Sequence, residues 1–278
     1  MEVWLTEKHS EDIALSYRVS KTIFSAVSPY QNIDVIENPQ YGRMLLLDGI
    51  VMFAEANEFH YSEMISHVPL FVHPRPRRVL IIGGGDGGTA REVLRHPDVE
   101  RIDLIEIDKM VVETALEHFP SIAETLRDRR VNLTFQDGAE FVRTTEKRYD
   151  VAIVDSTDPI GSGEKLFERQ FYQNTMKCLK TDGLMVAQSE SPLFHPKLIS
   201  RVMGDLKSLF SIVCLYCAFV PVYQGGMWSF AFASKKYDPR KNFRKDKYDS
   251  LQLPLRYYNE CIHYGAFWLP TFVKGIAE

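Results

Sequence analysis

Five carboxylates stand at one kind of place in this sequence. Asp86, Glu106, Asp137 and Asp155 each follow a short apolar run, and Asp158 comes three residues after Asp155. If those runs are parallel strands of an open α/β sheet, their carboxyl ends share one crevice, which is where such folds bind ligands. So many like charges around one crevice are unfavourable unless cations fill it. The spacing therefore predicts a cationic ligand. Asp155 and Asp158 also suit proton transfer. A partly buried carboxylate has a raised pKa and can take the proton that an amine must lose before it attacks.

The first apolar run, Val79-Leu80-Ile81-Ile82, ends in Gly83-Gly84-Gly85-Asp86-Gly87-Gly88, and Thr89 to Leu94 has a helical pattern. Gly83, Gly85 and Gly88 fit the dinucleotide fingerprint, while Gly83, Gly85 and Gly87 equally fit G-x-G-x-G, so the pattern alone does not choose. Asp86 does. A dinucleotide site holds a pyrophosphate at this turn. A carboxylate there would repel it by about 1–4 kcal/mol at contact distance. The turn thus points to a nucleoside without phosphates that carries positive charge, such as an S-adenosyl sulfonium compound, and away from a nicotinamide dehydrogenase. Glu106 lies about twenty residues on, where an acid holds ribose hydroxyls in such domains. Asp137-Gly138, after the third strand, is placed to hold an adenine amino group, although Asp-Gly is also a common turn. In the fourth loop Asp158-Pro159 makes a rigid turn, and Gly161-Ser162-Gly163 can act as a hinge.

The rest of the chain must position these groups. It has 278 residues, is 45% hydrophobic and carries a net charge of −4. That suits one large domain plus a small one. No basic block suggests a nucleic-acid partner. No apolar run approaches the roughly 20 residues of a membrane span. The first residues lack a basic-then-apolar signal pattern, so the cytoplasm is the expected compartment. Cys214 and Cys217 form a C-x-x-C inside an apolar run that reads as a strand. Residues three apart on a strand face opposite sides, so they are not expected to chelate a metal together.

Residues 1–57 read as short strands of a small antiparallel β domain. Leu45-Leu46-Leu47, Asp48-Gly49, Ile50-Val51-Met52 is a type I′ hairpin signal. From Asn57 the period becomes helical, with Tyr61, Met64, Ile65 and Val68 on one face, and Pro69 is expected to kink or end that helix. Residues 58–278 then alternate strand and helix, which implies an α/β domain with a mostly parallel sheet. Its strands are expected at 101–106, 131–136, 150–155, 183–188, 212–220 and 227–234. Pro196 opens an amphipathic helix, and Lys235 to Lys247 reads as solvated surface.

Gly83 to Gly88, Asp155-Ser156-Thr157-Asp158-Pro159-Ile160-Gly161, Glu58 to Met64 and Pro221 to Gly226 together resemble the spermidine synthases, the polyamine aminopropyltransferase family. The resemblance spans nearly the whole chain. It implies a methyltransferase-like Rossmann domain after the small β domain. It also implies transfer of the aminopropyl group of decarboxylated S-adenosylmethionine to putrescine, giving spermidine and methylthioadenosine. By position, Asp155 matches the catalytic base, Asp158 the amine site, and Asp86 the acid that binds the amine of the aminopropyl group. Glu106 matches the ribose acid, and Asp137 and Gly138 the adenine contact. Gln31 matches a glutamine on the methylthioadenosine part, and Tyr61, Gln188 and Tyr223 match residues lining the amine channel. Gly83 and Gly85 belong to the nucleoside turn. Two positions depart from the family. Ser62 stands where many bacterial relatives have histidine, and Ser162 where proline is usual in a loop beside the nucleoside. The donor would be a co-substrate, with no cofactor and no metal. A homodimer or homotetramer is expected. Agmatine, cadaverine or spermidine as acceptor, an amine N-methyltransferase, and a polyamine-binding protein without catalysis are the alternatives.

Overall fold

The short apolar runs of the N-terminal part pair into two antiparallel sheets. β1 (Val3–Lys8) and β2 (Ala14–Val19) form a ribbon, and β3 (Lys21–Val27), β4 (Asn32–Asn38), β5 (Gly42–Leu47) and β6 (Ile50–Ala54) form a four-stranded sheet in chain order. Leu47 sits opposite Ile50. Between them Asp48 (φ 50°) and Gly49 (φ 79°) are both left-handed, as a type I′ turn requires. The computed structural model describes residues 2–159 and 161–277, and at Ser162 the backbone alone.

After α1 (Phe59–Val72) the chain alternates. β7 (Arg78–Gly83), α2 (Gly88–Leu94), β8 (Arg101–Glu106), α3 (Lys109–His118), α4 (Pro120–Ala123), β9 (Val131–Phe135) and α5 (Gly138–Thr144) build one wing. β10 (Tyr149–Asp155), α6 (Arg169–Cys178), β11 (Leu179–Gln188), α7 (Pro196–Lys207), β12 (Ile212–Phe219) and β13 (Met227–Ser234) build the other. The sheet order is β12-β13-β11-β10-β7-β8-β9. β7 to β11 are parallel, and β13 alone runs against its neighbours. The order reverses between β7 and β10, so the crevice predicted by topology opens at their carboxyl ends. There Gly84 N donates to Asp155 O at 3.0 Å.

Alternation along β7 builds the core on both faces. Val79 and Ile81 pack on one side, and Leu80 and Ile82 on the other. Cys214 joins the first side and Cys217 packs against the second. The C-x-x-C pair is split as strand geometry demands, and both thiols are free. Helix α7 buries Ile199, Val202, Met203 and Leu206, with Pro196 in its first turn. No helix among the described residues is long and apolar enough to cross a membrane.

Three expectations need correction. Pro69 does not end α1, which continues to Val72. Leu70, Phe71 and Val72 are almost fully buried, and His73 N closes the last turn on Pro69 O at 3.0 Å, so packing outweighs the hydrogen bond that proline removes. Strand β11 starts at Leu179, four residues early. Residues 235–247 are not simply solvated. Phe243 packs on Phe71, Arg244 N donates to Phe71 O at 2.9 Å, and the Tyr237 hydroxyl donates to Asp182 at 2.9 Å. This strap leads into α8 (Lys245–Leu251), α9 (Glu260–Gly265) and α10 (Thr271–Ala277), which sequence periodicity did not mark.

Candidate active site

The crevice at the switch point is a cleft lined by the glycine turn and by Asp86, Glu106, Asp137 and Asp155. Gln31, Met52 and Phe53 reach it from the N-terminal sheet, and Tyr61 and Ser62 from α1. Its empty space, up to the open mouth, is about 1170 Å³, which is ample for a nucleoside and a short arm. A second cavity of about 380 Å³ lies beyond it, lined by Glu7, Asp158, Gln188, Gln224 and Trp228. Tyr61, Tyr223, Met52, Ser156 and Thr157 line both and form the wall between them. The expected ring of five carboxylates is therefore two groups. Four face the first cleft, and Asp158 faces the second, because residues 156 and 157 carry the chain across the wall.

Asp155 sits at that wall. Its Oδ1 accepts the Tyr61 hydroxyl at 2.7 Å, and its Oδ2 accepts the Thr89 hydroxyl at 2.6 Å. Two donors fix the carboxylate plane and leave a lone pair on each oxygen. Burial raises the Asp155 pKa, and the Thr89 and Tyr61 hydrogen bonds hold the rise back. The glycine turn makes this approach possible. A Cβ on Gly83 (φ 81°) would lie 2.0 Å from Asp155 O, and one on Gly85 2.7 Å from Glu106 Oε2. Only glycine fits at 83, and any side chain at 85 would displace the Glu106 carboxylate.

Asp86 accepts Gly88 N through Oδ1 at 2.7 Å. Burial, then the neighbouring Asp155 charge, pushes it up to about 7. Glu106 accepts Asp108 N at 2.9 Å and Gly85 N at 3.2 Å, and burial raises it to about 7. Asp137 caps α5 by accepting Ala139 N and Glu140 N, while its Oδ2 lies 3.7 Å from Lys165 Nζ. Gly138 packs flat on Ile82, where a Cβ would come within 2.4 Å. Gln31 Nε2 donates to Asp108 Oδ2 at 3.0 Å, which leaves its carbonyl oxygen for a ligand. Ser62 is buried and donates to Glu58 Oε2 at 2.9 Å, and Glu58 in turn binds Arg91. The Tyr223 hydroxyl donates to Met52 O at 2.7 Å and ties the N-terminal sheet to the site wall. Gln188 Nε2 reaches Ser156 O at 3.2 Å and Thr157 O at 3.3 Å and so holds the loop between the two acids. The Ser162 side chain lies outside the described residues.

Sequence reasoning missed four groups. Thr89 reads only as the first turn of α2. Asp108 is a buried cap that accepts Met110 N, Ser28 Oγ and the Gln31 amide. Glu7, on an N-terminal strand, lines the second cavity and is pushed by burial to about 7. Glu190 lies behind Asp158 with no exposure. A two-residue offset from Gln188 is the only sequence signal for Glu190, and Glu7 has none. Chemically, two acidic cavities joined at a hydroxyl-held carboxylate can bring two cationic molecules end to end and remove a proton where they meet. Among the described residues no group of three or more His, Cys, Asp or Glu is arranged to hold a metal.

Comparison with known proteins points the same way. Residues 58–245 match the spermine/spermidine synthase domain, and residues 3–55 match the spermidine synthase tetramerisation domain. A polyamine aminopropyltransferase of Moorella thermoacetica is 48% identical over 276 residues, covering 99% of this chain and 96% of that protein. One of Alkaliphilus oremlandii is 45% identical, covering 100% and 99%. A spermidine synthase solved with the transition-state analogue AdoDATO superposes with a TM-score of 0.97 at 41% identity, covering 99% of this chain and 94% of that one. The spermidine synthase of Thermotoga maritima gives 0.93 at 39%, with the same coverage.

Proposed function

Because the chain belongs to the spermine/spermidine synthase family and is a polyamine aminopropyltransferase, we propose that it moves the aminopropyl group of decarboxylated S-adenosylmethionine to putrescine. The acceptor nitrogen attacks the carbon next to the sulfonium. The C–S bond breaks as the C–N bond forms, neutral methylthioadenosine leaves, and the nitrogen's proton passes to Asp155. Sulfonium is already a good leaving group, so the protein's part is alignment, proton removal and exclusion of water.

The observation that carries this reading is the meeting of two acidic cavities at Tyr61, whose hydroxyl holds Asp155. The nucleoside goes in the larger cleft, with Glu106 on the ribose, Asp137 and Gly138 at the adenine, and the Gln31 carbonyl on the methylthioadenosine part. Asp86 takes the ammonium of the aminopropyl arm and disfavours a donor that still carries a carboxylate. The acceptor lies in the second cavity against Asp158, Gln188 and Tyr223, with Ser62 at the wall of the first. Its length is set by the acids at the two ends.

The test is a product assay by mass spectrometry. Purified protein receives decarboxylated or intact S-adenosylmethionine with a mixture of putrescine, cadaverine, agmatine and spermidine. Spermidine and methylthioadenosine formed only from the decarboxylated donor is the expected result. Consumption of another amine in place of putrescine would overturn the acceptor, and a methylated amine from the intact donor would overturn the role of Asp86.

Residues 1–57 form, on this reading, a separate domain that also assembles copies of the chain into a homodimer or homotetramer. Val3, Trp4, Ile13, Leu15, Val27 and Tyr30 are all exposed apolar side chains of that part, which supports assembly there. Sedimentation as a monomer at micromolar concentration would remove it.

A further inference from the structure

Behind Asp158 sits a carboxyl group that the proposed reaction does not use. Glu190 has 0% exposure, and its Oε2 has no hydrogen-bond donor in reach among the described residues. The His195 ring lies 3.8 Å away, beyond hydrogen-bond distance. The backbone holds Glu190 in place at φ 70°, left-handed and not glycine. Glu190 N donates to Gln188 Oε1 at 3.1 Å. The Glu190 carbonyl accepts Ser229 Oγ at 2.7 Å and Ser229 N at 3.0 Å. Gln188 Nε2 donates to Glu190 Oε1 at 3.2 Å. Such a conformation persists only where its surroundings over-determine it, and such residues gather at functional sites. One polar atom is left over, Oε2, and the side chain that carries it lies against the carboxyl of Asp158, close enough for the two to share a hydrogen bond.

A fully buried carboxyl against a second, partly buried one, with no donor between them among the described residues, ionises only well above the usual range, so one proton stays on the pair in neutral solution. We propose that Glu190 is a positioning residue for Asp158. It keeps that proton, donates it to Asp158 in a hydrogen bond, and presents Asp158 to the second cavity as a single oriented carboxylate for an acceptor ammonium. The proposal rests on the aminopropyltransferase reading. Burial, then the Asp158 charge, pushes Glu190 up to about 9, so the proton is present in neutral solution. The other titratable groups facing the pair are His195 and His9, whose charges would favour ionised Asp158, and Glu7 and Tyr223 across the cavity. A glutamine at 190 can make the same two contacts, accepting from Gln188 and donating to Asp158, without a titrating proton.

Difference infrared spectra of the full-length protein across about pH 9 should show a protonated-carboxyl C=O band that disappears on the alkaline side in the wild type and is absent from Glu190→Gln. With decarboxylated donor and putrescine, Glu190→Gln should keep the acceptor KM near wild type and lose its change through that pH. Glu190→Ala should raise the acceptor KM roughly tenfold, the size of a lost hydrogen bond to a charge, with the donor KM unmoved. A band that survives in Glu190→Gln, or equal rises in KM for the two variants, would overturn the proposal. If the alanine variant does not fold, the band and the glutamine pH profile decide. If the wild type transfers to no amine, the reading of the reaction fails, and the band together with calorimetric binding of putrescine still decides the role of Glu190.

Discussion

Two clusters of buried charge, one linking α1 to α2 and one at the carboxyl ends of the parallel strands, are built on opposite rules. Between the helices, Glu92 is 1% exposed and meets Arg91 at 2.8 Å, Arg95 at 3.0 Å and His67 at 3.0 Å. His67 also bonds His96 at 2.9 Å, and Arg91 reaches Glu58. Burial alone would push Glu92 up, but the His67 hydrogen bond and the charges of His67, Arg91 and Arg95 outweigh it and leave its pKa lowered. At the strand ends, Asp86, Glu106 and Asp155 line the larger cleft, and Asp158, with Glu190 behind it, lines the second; they are held by hydroxyls, an amide and backbone N–H groups, and among the described residues none has a cationic side chain in ion-pair contact, apart from His195 at 3.8 Å from Glu190. All five are raised. Buried charge that is paired within the chain is costly to break, because removing one partner strands the other. Buried acids left without a cation of the chain mark a candidate site for a cationic ligand.

The sharpest way to break this contrast is Asp155→Asn. The amide keeps the Tyr61 contact and the shape of the wall but cannot accept a proton. Steady-state kinetics should show kcat lowered about 10²–10⁴-fold, with donor affinity largely kept. Equal loss of donor affinity would mean that Asp155 belongs to the donor's charge pairing rather than to proton removal.

In the network between the helices, Glu92→Ala strips the partner from the buried His67 imidazole and the partly exposed Arg95 guanidinium and leaves Arg91 with Glu58. Denaturant unfolding should show a loss of about 3–5 kcal/mol. The acceptor and donor KM of the protein that remains folded should barely move. A loss below about 1 kcal/mol would place this cluster with solvent-screened pairs and remove half of the comparison.

How much of this was readable from the chain follows the reach of each interaction. The glycine turn, the acids at the strand ends and the Asp48-Gly49 hairpin are local patterns, and the strand order that joins them follows from alternation. The contacts that make the site work are not local. Tyr61 and Thr89 lie 94 and 66 residues from the carboxylate they hold, and a helical period explains each of them equally well as packing. Asp158 obeys the strand-end rule yet faces another cavity, because the direction of two loop residues is set by Gln188 from β11. Pro69 and Phe243 fail in the same way. The cost of proline in a helix and the charge of residues 235–247 can be read in sequence, while the burial of Leu70, Phe71 and Val72 that overrides them is tertiary.

The mildest test of the contrast is the stability of the protein without ligand. Asp86 holds its proton to about pH 7 when folded and to about pH 4 when unfolded. The folded state therefore binds more protons between those values, and the stability that Asp86 allows below about pH 4 is lost as pH rises through about 7. The wild-type curve alone does not isolate this, because buried histidines such as His96 and His263 have lowered pKa values and act with the opposite sign through that range. The difference curve does. Asp86→Asn keeps the contact to Gly88 N and carries no charge, so its melting temperature should match wild type in acid and rise above it towards pH 7. The gain should be about 1 kcal/mol, since the partly exposed carboxylate borders an open cleft, or about 2–4 °C. Saturating decarboxylated donor should reverse the sign, because its ammonium now pairs with Asp86 and stabilises only the chain that has the acid. A flat difference curve would mean that Asp86 is paired within the chain after all, and the two clusters would then follow one rule.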